Sequence, residues 1–124
     1  MTAAVQPIDL AEKLGKIDKP WTPKIVAELN GQHVKLAKLE GEFIWHRHDA
    51  EDELFLVLEG RLVMEFRDRP TVTLEKGQML VVPKGVEHKP VAENGASVLL
   101  FEPASTLNTG NVTNERTLTN IERI

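Results

Sequence analysis

Residues 41–66 read GEFIWHRHDAEDELFLVLEGRLVMEF, and the order of polar and apolar residues in this stretch decides the fold. His46 and His48 are two positions apart, so on a strand both imidazoles project from one face. The acidic stretch Asp49-Ala50-Glu51-Asp52 has the polarity of a turn, and Glu53 then opens the apolar run Leu54 to Leu58. A strand leaving a turn lies about 5 Å from the strand entering it, close enough for Glu53 to share one ion with the histidine pair. Gly60 interrupts the run, and Leu62 to Phe66 resumes it.

Outward from this stretch the same pattern of short apolar segments and turn residues continues. Ile25 to Leu29 and Val34 to Leu39 flank Asn30-Gly31, a dipeptide that tolerates the positive φ angles of a tight hairpin. Downstream lie Val72 to Leu74, Met79 to Val82, Val86 to Val91 and Ser97 to Phe101, punctuated by Pro70, Gly77, Gly85 and Gly95. Many short strands at this spacing describe an antiparallel sandwich or barrel, so the fold is expected to be all-β. Asp9 followed by Glu12 reads as a capping box opening a short helix to about Leu14, with Gly15 as its stop. Lys19 to Pro23 is expected to be an extended linker, because each proline restricts the residue before it. The expected organisation is a single domain over residues 1–124, with a core at 24–103, a helix and linker at 1–23, and a polar tail at 104–124. That tail, rich in Asn and Thr, either lies on the barrel or is partly mobile.

Composition narrows the classes of function. A chain of 124 residues with 41% hydrophobic and 27% charged residues has globular composition and can bury a core unaided. The absence of cysteine removes disulfides, thiolate catalysis and Cys-ligated zinc, leaving His and carboxylate as metal donors. It also fits a cytoplasmic location. The net charge of −4, with basic and acidic residues interspersed, gives no footprint for nucleic acid. No run approaches the roughly 20 apolar residues of a membrane span, and the first residues lack the pattern of an export signal, so neither membrane nor export is expected.

His88 arrives from a later strand, after Pro83 and Gly85, and completes a candidate metal set of His46, His48, Glu53 and His88. If those residues point inward, strand parity places Ile44, Phe55 and Val57 on the same face, with Met64, Phe66, Val81 and Val86 as further lining of a mostly apolar pocket. Arg61 and Arg67 then face outward, and His33 lies outside the set. Imidazole and carboxylate donors without sulfur suit Mn, Fe, Co, Ni, Cu or Zn. Four protein ligands would close a tetrahedral zinc site, whereas an octahedral ion keeps two positions open, which favours Fe, Mn or Ni. Leu54, Leu56 and Leu58 alternate with the inward residues and need a cover, either a second layer of the barrel or a partner subunit.

These residues resemble the two motifs of the cupin family. Gly41, His46, His48, Glu53 and Gly60 match the first, and Gly77, Pro83, Gly85 and His88 match the second, with Ala92 where the family's motif ends in asparagine. The resemblance implies an antiparallel jelly-roll β-barrel with the three histidines and the glutamate facing its interior, and a homodimer. It is similar in particular to the small barrels related to mannose-6-phosphate isomerases. The function it implies is a metal-dependent enzyme on a small oxygen-bearing metabolite, with isomerase, lyase or dioxygenase chemistry. The alternative, from another class, is a non-catalytic small-molecule-binding or metal-sensing cupin.

Overall fold

The structure, a computed structural model, describes residues 5–124. Asn30 and Gly31 adopt φ of 50° and 76° and turn β1 (Lys24–Leu29) back into β2 (Gln32–Glu42) as the expected tight hairpin. β3 (Glu53–Phe66), β4 (Val72–Glu75), β5 (Met79–Val82) and β6 (His88–Pro103) follow. The sheet runs β1-β2-β6-β3-β4, with β5 also paired to β3, and every strand pairing is antiparallel. β5 pairs with the first half of β3, at Glu53 to Leu56, and β4 with the second half, at Arg61 to Met64. The sheet curls into a jelly-roll barrel around a core in which Val57, Leu62, Met64 and Val98 are fully buried.

Two pairs of segments that the sequence separates are single strands. Leu54 to Leu58 and Leu62 to Phe66 join in β3, and the end of the Val86 to Val91 segment joins Ser97 to Phe101 in β6. Glycine at these points bends the strand instead of reversing it. Gly60 has φ of 82° and faces Ala96, between two register shifts of the β3–β6 ladder. A Cβ on Gly60 would stand 2.3 Å from the Gly95 carbonyl oxygen, so only glycine lets the two long strands cross this closely. By contrast the short apolar segment Phe43 to Trp45, between β2 and His46, is irregular.

Along β3, Glu53, Phe55 and Val57 are buried while Leu54, Leu56 and Leu58 are half-buried on the outer face, the alternation expected from the sequence. Val81 corrects the expected pocket lining. β5 pairs Val82 with Glu53 and Val81 with Leu54, so Val82 turns inward and is 2% exposed, while Val81 turns outward and is 48% exposed.

At the N-terminal side, Asp9 Oδ1 accepts the Glu12 amide at 3.1 Å and caps α1 (Leu10–Leu14). The helix lies against β2, and Ile17 beyond it is buried. Lys19 to Pro23 is a turn and not an extended linker. Trp21 sits at φ 59°, and its backbone amide donates to Lys38 O at 2.8 Å while its indole Nε1 donates to Glu40 O at 2.7 Å. The left-handed backbone costs about 1–2 kcal/mol, which two hydrogen bonds of about 1 kcal/mol each offset. The polar tail lies on the barrel without forming a helix or a strand: Ile25 N donates to Glu122 O, Ile124 N donates to Ile25 O, and Thr109 is fully buried.

Gly60→Ala should destabilise the fold by at least about 2 kcal/mol, since a forbidden φ and a backbone clash combine there. Urea unfolding of the variant checks this, and a midpoint equal to wild type would show that β3 and β6 do not pack as described.

Candidate metal centre

His46 and His88 face each other across a two-way backbone bridge. His46 N donates to His88 O at 3.0 Å, and His88 N donates to His46 O at 2.9 Å. Residues paired in this way project their side chains to the same face, which brings the two ring centroids to 4.3 Å. The loop before β6 is also tied to the segment that carries the other ligands: Gly85 N donates to His48 O at 2.8 Å, and Lys84 N donates to Oδ1 of Asp52, the residue before Glu53, at 2.8 Å. Glu53, the first residue of β3, completes the set. His46, His48, Glu53 and His88 are each no more than 5% exposed, and one ligand atom from each lies within 4.8 Å of the others.

The hydrogen bonds prepare these rings for coordination. Nδ1 of His46 lies 2.9 Å from Ile44 O, and Nδ1 of His88 lies 2.9 Å from Val86 O. A carbonyl can only accept, so both Nδ1 atoms carry the proton and both Nε2 atoms present a lone pair. His88 Nε2, both ring nitrogens of His48 and Glu53 Oε1 are buried without a hydrogen-bond partner, while His48 Nε2 and His88 Nε2 approach Glu53 Oε1 at 3.2 and 3.7 Å. Leaving this many polar atoms unpaired in an apolar interior is costly, and a cation among them removes the cost. The donor set therefore fits a divalent metal ion.

Burial pushes the His46 imidazole down to about 4, with the neighbouring His88 adding to the effect. Burial works to raise Glu53, but the neighbouring Glu102 carboxyl and the His48 and His88 imidazoles outweigh it and hold the carboxyl well below the usual range. Glu102 moves the other way, raised by burial and then by the facing charge of Glu53.

Beside the set lies a small cavity of about 50 Å³, open to solvent at its mouth. It is lined by His46 and Glu53, by the stacked rings of Trp21 and Phe43, 4.8 Å apart, and by a buried ion pair, Lys35 with Glu102, at 2.9 Å. Of the seven pocket residues expected from the sequence, Phe55 lines this cavity. Val57 and Met64 fill the core, and Phe66 and Val86 pack against it. Ile44 is half-buried and supplies the carbonyl for His46. The residues that sequence reasoning missed come from β2, β6 and the Trp21 turn. The available signal was the parity of Lys35, Ala37 and Leu39, which share the inward face of β2.

The cupin domain family matches residues 32–102, more than half of the chain. The chain belongs to the cupin family. A cupin-2 domain protein from Shewanella frigidimarina NCIMB 400 superposes with a TM-score of 0.75 at 45% identity, over 77% of this chain and 93% of that one. YdbB, an uncharacterized protein of Bacillus subtilis (strain 168), is 44% identical over 52% of this chain and 57% of its own length. Auxin-binding protein ABP19a of Prunus persica is 31% identical over 72% of this chain and 48% of its own. The chain thus spans about half the length of the curated relatives it matches. Hydroquinone 1,2-dioxygenase from Sphingomonas sp. TTNP3, solved with 4-hydroxybenzoate bound, shares the fold with a TM-score of 0.73 at 22% identity, over 82% of this chain and 33% of that one. Among the described residues no helix is long and apolar enough to cross a membrane.

In this cupin the C-terminal tail clasps the ligand loop. Asn111 N donates to Arg47 O at 2.9 Å, and Asn111 Oδ1 accepts Arg47 N at 2.8 Å, so both backbone groups of the residue between His46 and His48 are held. Gly110 allows the approach: a Cβ there would meet Arg47 O at 2.2 Å.

The depressed His46 has a consequence for metal-free protein. Its unfolded value is near 6.5 and its folded value about 4, so the unfolded chain binds more protons between those limits. The stability linked to this one group is complete above about pH 6.5 and is lost as pH falls towards 4, by about 3 kcal/mol. Chemical denaturation of chelated wild type and His46→Gln between pH 7 and 4 checks this; an equal pH slope in both would contradict it.

Proposed function

We propose that His46, His48, Glu53 and His88 hold a divalent transition metal, and that the chain is a metal-dependent enzyme acting on a small oxygen-bearing metabolite. The observation that carries this reading is the convergence of four buried donors, two with their Nδ1 protons already committed to backbone carbonyls, beside a small cavity that His46 and Glu53 line. Fe, Mn or Ni are favoured, and Zn, Co or Cu also suit the donors. When bound, such an ion supplies Lewis-acid polarisation of a carbonyl or hydroxyl oxygen. The chain's own residues bring charge, orientation and dryness. Glu53 offsets part of the cation's charge, the Ile44 and Val86 carbonyls hold two rings in place, and Trp21 and Phe43 wall the cavity against water.

Isomerase, lyase and dioxygenase chemistry are all compatible with these parts. The fold neighbour that binds 4-hydroxybenzoate lends weight to a flat, oxygen-substituted ligand. Similarity to an auxin-binding protein favours the second reading, a non-catalytic small-molecule-binding or metal-sensing cupin. Turnover by metal-loaded protein, lost on chelation and regained on reloading, separates the two.

Metal binding itself is tested by calorimetric titration of chelated protein. His48→Ala and His88→Ala should each weaken affinity by at least about tenfold, consistent with a metal–ligand contact removed. His33→Ala should not, because His33 is engaged with Glu28 at 3.0 Å and lies outside the set. Equal affinities across all four proteins would remove the site.

The outer face of β3 and its neighbours supports a homodimer. Leu54 and Leu56 pair with Phe101 and Leu99 on one side and with Val81 and Met79 on the other, and Met79 is 62% exposed. A second copy laid on this apolar face would cover it. Sedimentation should give a dimer mass that Leu56→Lys converts to monomer; a monomer at every concentration of wild type would contradict this.

A further inference from the structure

Among the described residues, Lys35 and Glu102 are the buried lysine and carboxylate side chains that the metal set does not use. They are each 3% exposed, they pair at 2.9 Å, and they come from β2 and β6, 67 positions apart in sequence. An apolar pair of similar volume at such a place is commonly as stabilising or more so, so a buried ion pair here is not explained by packing. Both side chains line the cavity that His46 and Glu53 line, and Glu102 also faces the Glu53 carboxylate. The pair is left with unused capacity. The Lys35 ammonium has three donors and gives one to Glu102 Oε1, and Glu102 Oε2 is buried without a partner.

From this placement we propose that Lys35, held by Glu102, is the anchor for the carboxylate of the ligand, and that the ligand is a small monoanionic 2-hydroxy or 2-keto acid. The inference rests on a metal at the four-residue set. A divalent ion and the Lys35 ammonium together give the cavity an excess of positive charge, which an anionic ligand offsets in a low-dielectric setting. One carboxylate then meets Lys35 while the adjacent hydroxyl or keto oxygen faces His46 and Glu53 from the same cavity. The limited space beyond these groups restricts the ligand to a few carbons or one ring at the mouth, against Trp21 and Phe43.

The test uses nickel-loaded full-length protein and two matched pairs of probes, lactate with lactamide and mandelate with mandelamide, read by calorimetry. A charge-assisted hydrogen bond predicts that the acids bind about tenfold or more tightly than the amides. In Lys35→Gln, which keeps a donor for Glu102, that preference should vanish while nickel affinity stays close to wild type. Thermal melting shows whether the variant is folded; if it is not, the paired replacement Lys35→Met with Glu102→Leu removes both charges together and must show the same loss. Nickel binding without a preference for acids in wild type, or an undiminished preference in the folded variant, overturns the inference and leaves the metal reading standing. Failure of wild type to bind nickel overturns both.

Discussion

Three imidazoles and a carboxylate are held within 4.8 Å of one another inside an apolar barrel, and the rest of the structure is arranged around that concentration of polar atoms. Without a cation the arrangement is expensive, because His48, His88 and Glu53 bury atoms that find no hydrogen-bond partner. With one, the same atoms become ligands. The backbone has fixed their directions in advance: the reciprocal bridge of His46 with His88 sets two rings on one face, and the carbonyls of Ile44 and Val86 settle which nitrogen of each is free. Coordination therefore requires little reordering of the side chains that perform it.

The scaffold transmits this requirement over the whole chain. β3 brings Glu53 and β6 brings His88, and these two strands pair over most of their length only because Gly60 admits the backbone of Gly95. The irregular segment carrying His46 and His48 is held from two sides, by Gly85 from the loop before β6 and by Asn111 from the tail. The tail, with no regular structure of its own, thus takes the part a paired strand would otherwise play at the barrel mouth. In the same cavity Lys35 and Glu102 form a second polar centre, next to the first through the contact of Glu102 with Glu53.

Much of this was legible in the sequence, for identifiable reasons. His46, His48 and Glu53 stand out because a polar turn separates them and the apolar alternation of Leu54 to Leu58 fixes the inward face of β3. Val81 was misplaced because Met79-Leu80-Val81-Val82 is apolar at every position, so its parity comes only from pairing with Glu53 and Leu54, which the sequence does not display. Gly60 and Gly95 look like turn residues, and only the packing of two strands shows that they bend a strand and allow a close approach. Lys35 and Glu102 went unread because charged residues in strands usually face water, and nothing local marks a pair that is completed across 67 positions. Trp21 was obscured by its flanking prolines, since its positive φ is stabilised by contacts with Lys38 and Glu40 distant in sequence.

X-ray absorption of the metal-loaded protein tests the central claim most directly, because it counts the atoms around the ion without recourse to variants. The structure predicts three imidazole nitrogens and one carboxylate oxygen in the first shell at about 2.0–2.2 Å, with the multiple-scattering signature of three rings. A shell of oxygen alone, or one with a single imidazole, would contradict the assignment of His46, His48, Glu53 and His88 as one metal centre.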